Sequence, residues 1–289
     1  MISVLIIGKG PAGISAGIYA KRSGLDVTII GKDNGALKNA HLVENYYGFV
    51  EPILGNELIE NGIKQALRLG INVVDDEVLS IDYNEDYIVT TKKDTYIAKT
   101  VIMATGSPRQ TPNIKGLKNY EGKGVSYCAV CDAFFYRGKD VVVLGCCDYA
   151  MHEARELVNV ARSVTILTNK AEPSGLIPDE AKVITNEINE IVGDERVQKI
   201  TFKDDTFIKT DGVFVAYGVA GSSDFAKKLG VITENNKIIV DEQMATNLPG
   251  LFAAGDCIGG VYQIAKAIND GSIAGLAASK YIKRLNIIK

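Results

Sequence analysis

Apolar runs that end in glycine recur along this chain and divide it. Val4 to Ile7 is an unbroken apolar run, the pattern of a strand buried on both faces, and Gly8-Lys9-Gly10-Pro11-Ala12-Gly13 follows at once. Ile14 to Ser23 has helical spacing, Gly24 ends it, and Val27 to Ile30 is a second buried strand. Gly55 to Leu69 puts Leu58, Ile59, Ile63, Ala66 and Leu67 on one helical face and reads as an ordinary packing helix. Residues 71–97 break into short strands between polar turns. Val101 to Ala104 is again a buried strand, ending in Thr105-Gly106, and Ser107-Pro108 and Thr111-Pro112 then mark a linker.

The same succession starts a second time. Val141 to Leu144 is a strand, Gly145-Cys146-Cys147-Asp148-Tyr149-Ala150 a turn, His152 to Ala161 a helix and Val164 to Leu167 the next strand. Residues 187–209 alternate as a strand meander, and Val213 to Ala216 takes the role of the Val101 segment. Another hinge is expected near Asn235-Asn236. Ile238 to Val240 returns to strand, and Leu251 to Ala254 is a buried strand ending in Gly255-Asp256. Tyr262 to Lys283 reads as a long helix with Gly271 and Gly275 inside it. Each glycine costs roughly 1 kcal/mol there relative to alanine, which points to close approach of a backbone or a ligand, or to a helix irregularity. The chain is an α/β protein built as an internal repeat of one βαβ unit.

Strand, G-x-G-x-x-G, helix and strand within about 30 residues is the pattern that binds an adenine dinucleotide. Gly8 permits the tight turn, Gly10 lets the backbone approach a pyrophosphate, and Gly13 lets helix and strand pack closely. The helix N-terminus then faces the phosphates. One piece is missing, because the second strand ends in Gly31, where an acid usually binds the ribose. Apolar residues at 46% and charged residues at 23% allow a packed core. A net charge of −3 argues against a general nucleic-acid or anionic-membrane binder. No apolar run approaches the roughly 20 residues of a membrane span. The N-terminus lacks the marks of a secretion signal, so a cytoplasmic location is expected.

In that setting Cys128-Ala129-Val130-Cys131-Asp132 stands out. A Cys-x-x-Cys pair can close and reopen a disulfide by two-electron chemistry, often with one thiol of depressed pKa. Half of a zinc site and two buried structural cysteines are the rival readings. A structural zinc needs four ligands, and the remaining Cys146, Cys147, Cys257, His41 and His152 supply no second ligand pair of that spacing. No metal is therefore expected. Asp132 is a candidate general acid for the thiols, or else a helix N-cap. Cys146 and Cys147 are too close along the chain for an unstrained disulfide, since neighbouring Cα atoms are about 3.8 Å apart. They are expected to be small buried residues filling a turn, and Cys257 is assigned to packing.

Taken together and in order, several segments resemble the low-molecular-weight thioredoxin reductase family: Gly8 to Gly13, Glu44-Asn45, Ala104-Thr105-Gly106, Cys128 to Asp132, Phe134-Phe135-Tyr136, Ala253 to Asp256, and Gln263. The resemblance implies two Rossmann-like domains of three-layer ββα form. An FAD-binding domain would span 1–113 and 237–289, with a second domain, 114–236, inserted in the chain and carrying the cysteine pair. It implies FAD held by Gly8, Gly10, Pro11, Ala12, Gly13, Asn45, Ala104, Thr105, Gly106, Gly255, Asp256, Gln263 and Ile264. Asp256 would hold the ribityl chain, and Asn45 and Gln263 would line the isoalloxazine. Cys131 would face the flavin, Cys128 would attack the disulfide of thioredoxin, and Asp132 would handle the protons. A homodimer is implied as well. The residue before Gln263 is usually arginine in that family and is Tyr262 here.

The second domain departs further. The family pattern there is G-x-G-x-x-A, with a following strand ending in His-Arg-Arg and a further arginine. Here Cys147 stands at the second glycine, and the strand runs out as Leu167-Thr168-Asn169-Lys170-Ala171-Glu172. Losing two or three charge-assisted phosphate bonds, each about 1.5–3 kcal/mol, removes useful NADPH affinity. Glu172 favours NADH in principle, but the Cys147 side chain obstructs both nucleotides equally. An intact flavin site and cysteine pair without a nicotinamide site resembles the clostridial-type ferredoxin-dependent flavin thioredoxin reductases. Ferredoxin is then the expected electron donor and thioredoxin the acceptor. The alternatives are a dithiol oxidase that uses oxygen and a non-catalytic flavoprotein that serves as a binding module.

Overall fold

The computed structural model describes residues 1–40, 42–106, 112–127, 129–217 and 221–288. In chain order the elements are β1 (Ile2–Ile7), α1 (Pro11–Arg22), β2 (Val27–Gly31), α2 (Gly55–Arg68), β3 (Asn72–Asp75), β4 (Val78–Asn84), β5 (Asp86–Thr91) and β6 (Thr95–Met103). There follow β7 (Val125–Ser126), the helical turn α3 (Ala129–Asp132), β8 (Asp140–Leu144), α4 (Asp148–Val158), β9 (Ser163–Leu167), β10 (Ala181–Ile184), β11 (Ile188–Gly193), β12 (Val197–Phe202), β13 (Phe207–Lys209) and β14 (Gly212–Val215). The chain ends with α5 (Ser222–Leu229), β15 (Thr233–Glu234), β16 (Lys237–Ile238), β17 (Leu251–Ala253) and α6 (Ile264–Ile288). Two compact units result, Met1–Pro108 with Gly221–Lys289, and Arg109–Ala220.

In the first unit β3, β2, β1, β6 and β17 lie side by side, all parallel. Strands β2, β1 and β17 and the C-terminal half of β6 are buried on both faces, which is why they read as continuous apolar runs, whereas β3 at the edge is partly exposed. β6 is long enough to serve twice. Its C-terminal half pairs with β1 and β17, and its N-terminal half joins β5 and β4 in an antiparallel meander. Helix α1 packs between the sheet and α6. A methyl group on Gly271 would lie 2.1 Å from the Ala12 carbonyl oxygen, and one on Gly275 would lie 2.3 Å from that of Ala16. The two glycines inside the long helix are thus the contact surface for the backbone of α1.

The second unit repeats the plan. β10, β9, β8, β14 and β7 form a parallel sheet, and β11, β12 and β13 an antiparallel one. Its core gathers Val142, Leu144, Leu167, Val213 and Val215 from the parallel sheet against Ile191, Ile200 and Phe202 from the meander. Both units are dinucleotide-type α/β folds, as expected. The breaks expected at Ser107-Pro108 and at Thr111 lie outside the described residues.

The first unit resumes earlier than the sequence suggests, at Gly221 rather than after 236. Asn235-Asn236 is not a hinge. It is the two-residue loop of a hairpin in which Thr233 pairs with Ile238 and Glu234 with Lys237. Both asparagines have positive φ, 49° and 58°, the conformation that such tight loops require. Helix α5 belongs to the first unit because Ser222 is tied to Thr105: the Ser222 N–H donates to Thr105 Oγ1 at 2.8 Å, and the two hydroxyls lie 2.7 Å apart.

Candidate functional site

Three strand ends converge in the first unit. The Ala104 N–H donates to the Ile7 carbonyl at 2.8 Å and the Ala254 N–H to the Met103 carbonyl at 2.9 Å. The turns Gly8–Gly13, Ala104–Gly106 and Ala254–Asp256 therefore share the carboxyl edge of the sheet, at the point where the strand order reverses between β1 and β6. Ligands of open α/β sheets bind in that crevice.

The three glycines of the first turn have different neighbours. A methyl on Gly8, which has φ +112°, would lie 2.1 Å from the Ala104 carbonyl oxygen, and one on Gly13 would lie 1.9 Å from that of Gly8. A methyl on Gly10 meets nothing within 4 Å. Protein packing thus explains Gly8 and Gly13, whereas at Gly10 the backbone borders open space. Pro11 opens α1, Ala12 is buried, no acidic residue lies in the first turn, and no side chain caps it. Uncapped N–H groups and the positive end of the helix dipole favour an anion there. This cradle fits the pyrophosphate of a dinucleotide.

Gly31 also finds its reason. A methyl on it would lie 2.7 Å from Cγ of Lys9, whose stem crosses the end of β2 on its way to an ion pair with Asp75. The path of Lys9 and the missing acid at the end of β2 are one coupled feature.

At the far side of the site Asn45 Nδ2 donates to Gln263 Oε1 at 3.0 Å, joining residues 218 positions apart. The Gln263 carbonyl accepts the Ala267 N–H and so starts α6 at Ile264. Sequence reasoning missed the pair that shapes the neighbouring turn. The buried Asp270 carboxylate accepts the Gly255 N–H at 3.1 Å, and Lys266 Nζ binds that carboxylate at 2.8 Å and the carbonyls of Gly255 and Gly259 at 3.0 and 2.5 Å. This clamp fixes Gly255–Ile258, the turn that carries Asp256. Its signal was the i,i+4 Lys-Asp spacing on the first turns of α6. Cys257 is buried as expected, its thiol 3.3 Å from the Ala254 carbonyl, and burial pushes its pKa up to about 11.

In the second unit Cys128 lies outside the described residues, and only the backbone of Cys131 is described, within α3. The first N–H of α3, that of Ala129, donates at 2.9 Å to the carboxylate of Glu153, which is buried on α4. Sequence reasoning passed over Glu153, which anchors the backbone next to Cys128. Asp132 is half-buried and starts the turn Ala133–Tyr136, but its side chain makes no capping bond there. Phe134 and Phe135 are exposed, and the Arg137 guanidinium lies 5.5 Å from the Phe134 ring centre.

The second glycine turn is filled by the chain itself. Gly145 packs on the Ala216 carbonyl as Gly8 does on Ala104. Cys147 then replaces the open glycine. The loop after β9 folds onto the turn: the Ser174 N–H donates to the Cys146 carbonyl at 2.7 Å, and Gly175 lies so close to Asp148 that a methyl would come within 2.6 Å of its Oδ1. Where arginines would meet a 2′-phosphate, Asn169 Oδ1 accepts the Ile188 N–H at 2.8 Å and Lys170 pairs with Glu187. Cys146 and Cys147 are partly exposed free thiols with sulfurs 3.4 Å apart, not the buried filler expected.

Comparison with known proteins agrees with this architecture. Residues 2–271 match the model of the pyridine nucleotide-disulphide oxidoreductase family. A thioredoxin reductase of Listeria innocua is 36% identical over 301 residues, covering 98% of this chain and 94% of that protein. The atypical thioredoxin reductase TRi from Desulfovibrio vulgaris Hildenborough superimposes with a TM-score of 0.93 at 38% identity, over 98% of this chain and 99% of that one. A ferredoxin-flavin thioredoxin reductase from Clostridium acetobutylicum gives 0.73 at 33% identity, over 99% and 98%. The chain belongs to the pyridine nucleotide-disulphide oxidoreductases, FAD-binding flavoproteins, and within them to the thioredoxin reductases.

Proposed function

We propose that this protein reduces the disulfide of thioredoxin through a Cys128/Cys131 dithiol, and that its electrons come from reduced ferredoxin rather than from NADPH or NADH. The observation that carries the reading is the contrast between the two glycine turns. Gly10 borders open space, whereas Cys147 and the Ser174–Gly175 loop fill the equivalent turn of the second unit. Among the described residues the first turn is open as a cradle for one dinucleotide, FAD, and the second is occupied by the chain, which supports a donor other than a nicotinamide nucleotide. The similarity to a ferredoxin-flavin thioredoxin reductase supports the choice of donor.

In this reading Gly8 to Gly13 hold the FAD pyrophosphate, Asp256 takes the ribityl chain on its clamped turn, and Asn45 and Gln263 border the ring. When bound, FAD supplies the conversion between a one-electron carrier and a two-electron disulfide. The remaining chemistry belongs to the chain. Cys128 attacks the thioredoxin disulfide as a thiolate, Cys131 resolves the mixed disulfide, and Asp132 delivers and accepts the protons. Glu153 holds the first N–H of the Cys-x-x-Cys turn, and Phe134 and Phe135 offer an apolar surface beside it in sequence. The direction is downhill. Plant-type ferredoxins lie near about −400 mV and thioredoxin near about −270 mV. That difference of about 130 mV is roughly 6 kcal/mol for two electrons. The same reading includes a homodimer formed through the FAD-binding unit, which light scattering at micromolar concentration tests.

The deciding experiment is an anaerobic flavin spectrum. NADPH and NADH at micromolar concentration should leave the oxidised flavin bands unchanged, and reduced ferredoxin should bleach them and then support thioredoxin reduction. Bleaching by either nucleotide refutes the donor assignment. Oxygen uptake with a dithiol substrate in place of thioredoxin reduction makes the protein an oxidase.

A further inference from the structure

Cys146 and Cys147 have no part in the reaction proposed above, yet the chain holds them in a defined geometry. The Gly145 N–H bonds to the Leu167 carbonyl at 3.0 Å, the Ser174 N–H to the Cys146 carbonyl at 2.7 Å, and the Met151 N–H to the Cys147 carbonyl at 3.2 Å. Strand β9, the loop after it and helix α4 thus each pin one residue of the turn. The two sulfurs lie 3.4 Å apart, and both residues are partly exposed.

We propose that Cys146 and Cys147 are a chelating dithiol site for a trivalent thiophilic centre of the arsenical class. The sulfur separation selects among soft ligands. A centre with bonds of about 2.3 Å, the length of a zinc–thiolate bond, spans 3.4 Å at an S–M–S angle of about 95°. That angle is narrower than the tetrahedral angle of zinc, and among the described residues no group of three or more His, Cys, Asp and Glu side chains could complete a metal site. A linear two-coordinate ion would need sulfurs about 4.6 Å apart at the same bond length. A pyramidal trivalent centre, which keeps a lone pair and carries its own third substituent, prefers angles near a right angle and needs only two sulfurs from the protein.

The chemistry balances without an oxidant. Two thiols and one organoarsenic(III) oxide give two arsenic–sulfur bonds and one water, which takes both thiol hydrogens and the arsenic-bound oxygen. A neutral thiol suits this exchange, and burial with the neighbouring Cys147 pushes the Cys146 pKa up to about 11. The rival fate, a disulfide between the two, would force a Cα separation of about 3.8 Å on a bond that normally spans at least about 4.4 Å.

The test is intact-mass spectrometry of the FAD-loaded Cys128→Ser/Cys131→Ser chain treated with one equivalent of phenylarsine oxide. One bridged phenylarsenic adduct should form, survive excess glutathione and be stripped by a dithiol. Adding either Cys146→Ala or Cys147→Ala should weaken binding at least about 100-fold, the lower range for losing a tethered second contact. Unchanged flavin content and far-UV circular dichroism show that these variants still fold. Failure to form an adduct with the pair intact overturns the proposal, as does an adduct that persists at equal strength in Cys147→Ala. The starting variant lacks the Cys128/Cys131 pair, so the result is independent of the thioredoxin reading.

Discussion

Adding the same methyl group at Gly10 and at Gly13 should have opposite consequences. At Gly13 it lands 1.9 Å from the Gly8 carbonyl oxygen and 3.3 Å from Ile6 Cγ2. Overpacking of this kind costs about 1–3 kcal/mol or more. At about 2–4 °C per kcal/mol for a domain of this size, Tm falls by about 2–12 °C. At Gly10 the backbone is extended, φ −78° and ψ −175°, and the methyl meets nothing within 4 Å. Loss of a glycine cap there costs up to about 1 kcal/mol, and the stiffer unfolded chain offsets about 0.4–1 kcal/mol of it. Gly10→Ala should therefore fold like the unaltered chain but bind FAD poorly. Displacing one charge-assisted bond to phosphate, about 1.5–3 kcal/mol, weakens binding about 10- to 150-fold. Melting curves over a range of FAD concentrations separate the two effects, because bound ligand stabilises by RT ln(1 + [L]/Kd). Wild-type FAD affinity in Gly10→Ala would mean that the open space is not the cofactor's. A Gly10→Ala melting point as low as that of Gly13→Ala without FAD would mean that the space is not open.

Cys128→Ser and Cys131→Ser should each abolish thioredoxin reduction, measured by insulin turbidity, and turnover in either would move the redox pair elsewhere. At pH 8 a thiol with a pKa of about 11 is only about one part in a thousand thiolate, so iodoacetamide should spare Cys257 in the folded chain and label it in urea; equal labelling in both contradicts its burial. Gly62→Ala, whose methyl finds nothing closer than 3.5 Å, should raise Tm, while Gly271→Ala, at 2.1 Å from the Ala12 carbonyl oxygen, should lower it despite the same gain in helix propensity. The Asp140 pKa is lowered from 3.8 to about 2 by its hydrogen bonds to Arg162 and then Ser163. A depressed acid contributes stability above its unfolded pKa and loses it as pH falls to its folded one. Asp140→Asn should therefore flatten the decline in stability between about pH 4 and about pH 2, and an unchanged acid limb in chemical denaturation refutes the linkage.

Both βαβ units were legible because their signals are local. An apolar run, a glycine turn and a helical period fall within about 30 residues each. What the sequence hid depends on partners far along the chain. Gly31 read as a lost acid, and only the path of the Lys9 stem toward Asp75 shows why no side chain fits there. The return to the first unit was placed near Asn235-Asn236, where the chain makes a hairpin rather than a hinge, because the pairing of Thr233 with Ile238 and Glu234 with Lys237 is not visible in so short a stretch. The bonds between Thr105 and Ser222, 117 residues apart, left no periodic trace. Asn45 and Gln263 were legible only through the family likeness, and Glu153 was hidden in an ordinary amphipathic helix.

The loop folded over the second glycine turn has a consequence for ancestry and for engineering. Changing Cys147 back to glycine removes a side chain but leaves Ser174 bonded to the turn and Gly175 against Asp148. Rebuilding the loop alone leaves the cysteine in the way. In the proposed reading neither step by itself opens the turn to a nucleotide, so neither gives selection anything to act on. With ferredoxin as the proposed donor, the arrangement is in this sense a ratchet. On that reading a designer seeking an NADPH-driven version would have to replace the turn, the loop and the Asn169–Lys170 corner all at once, through many simultaneous substitutions.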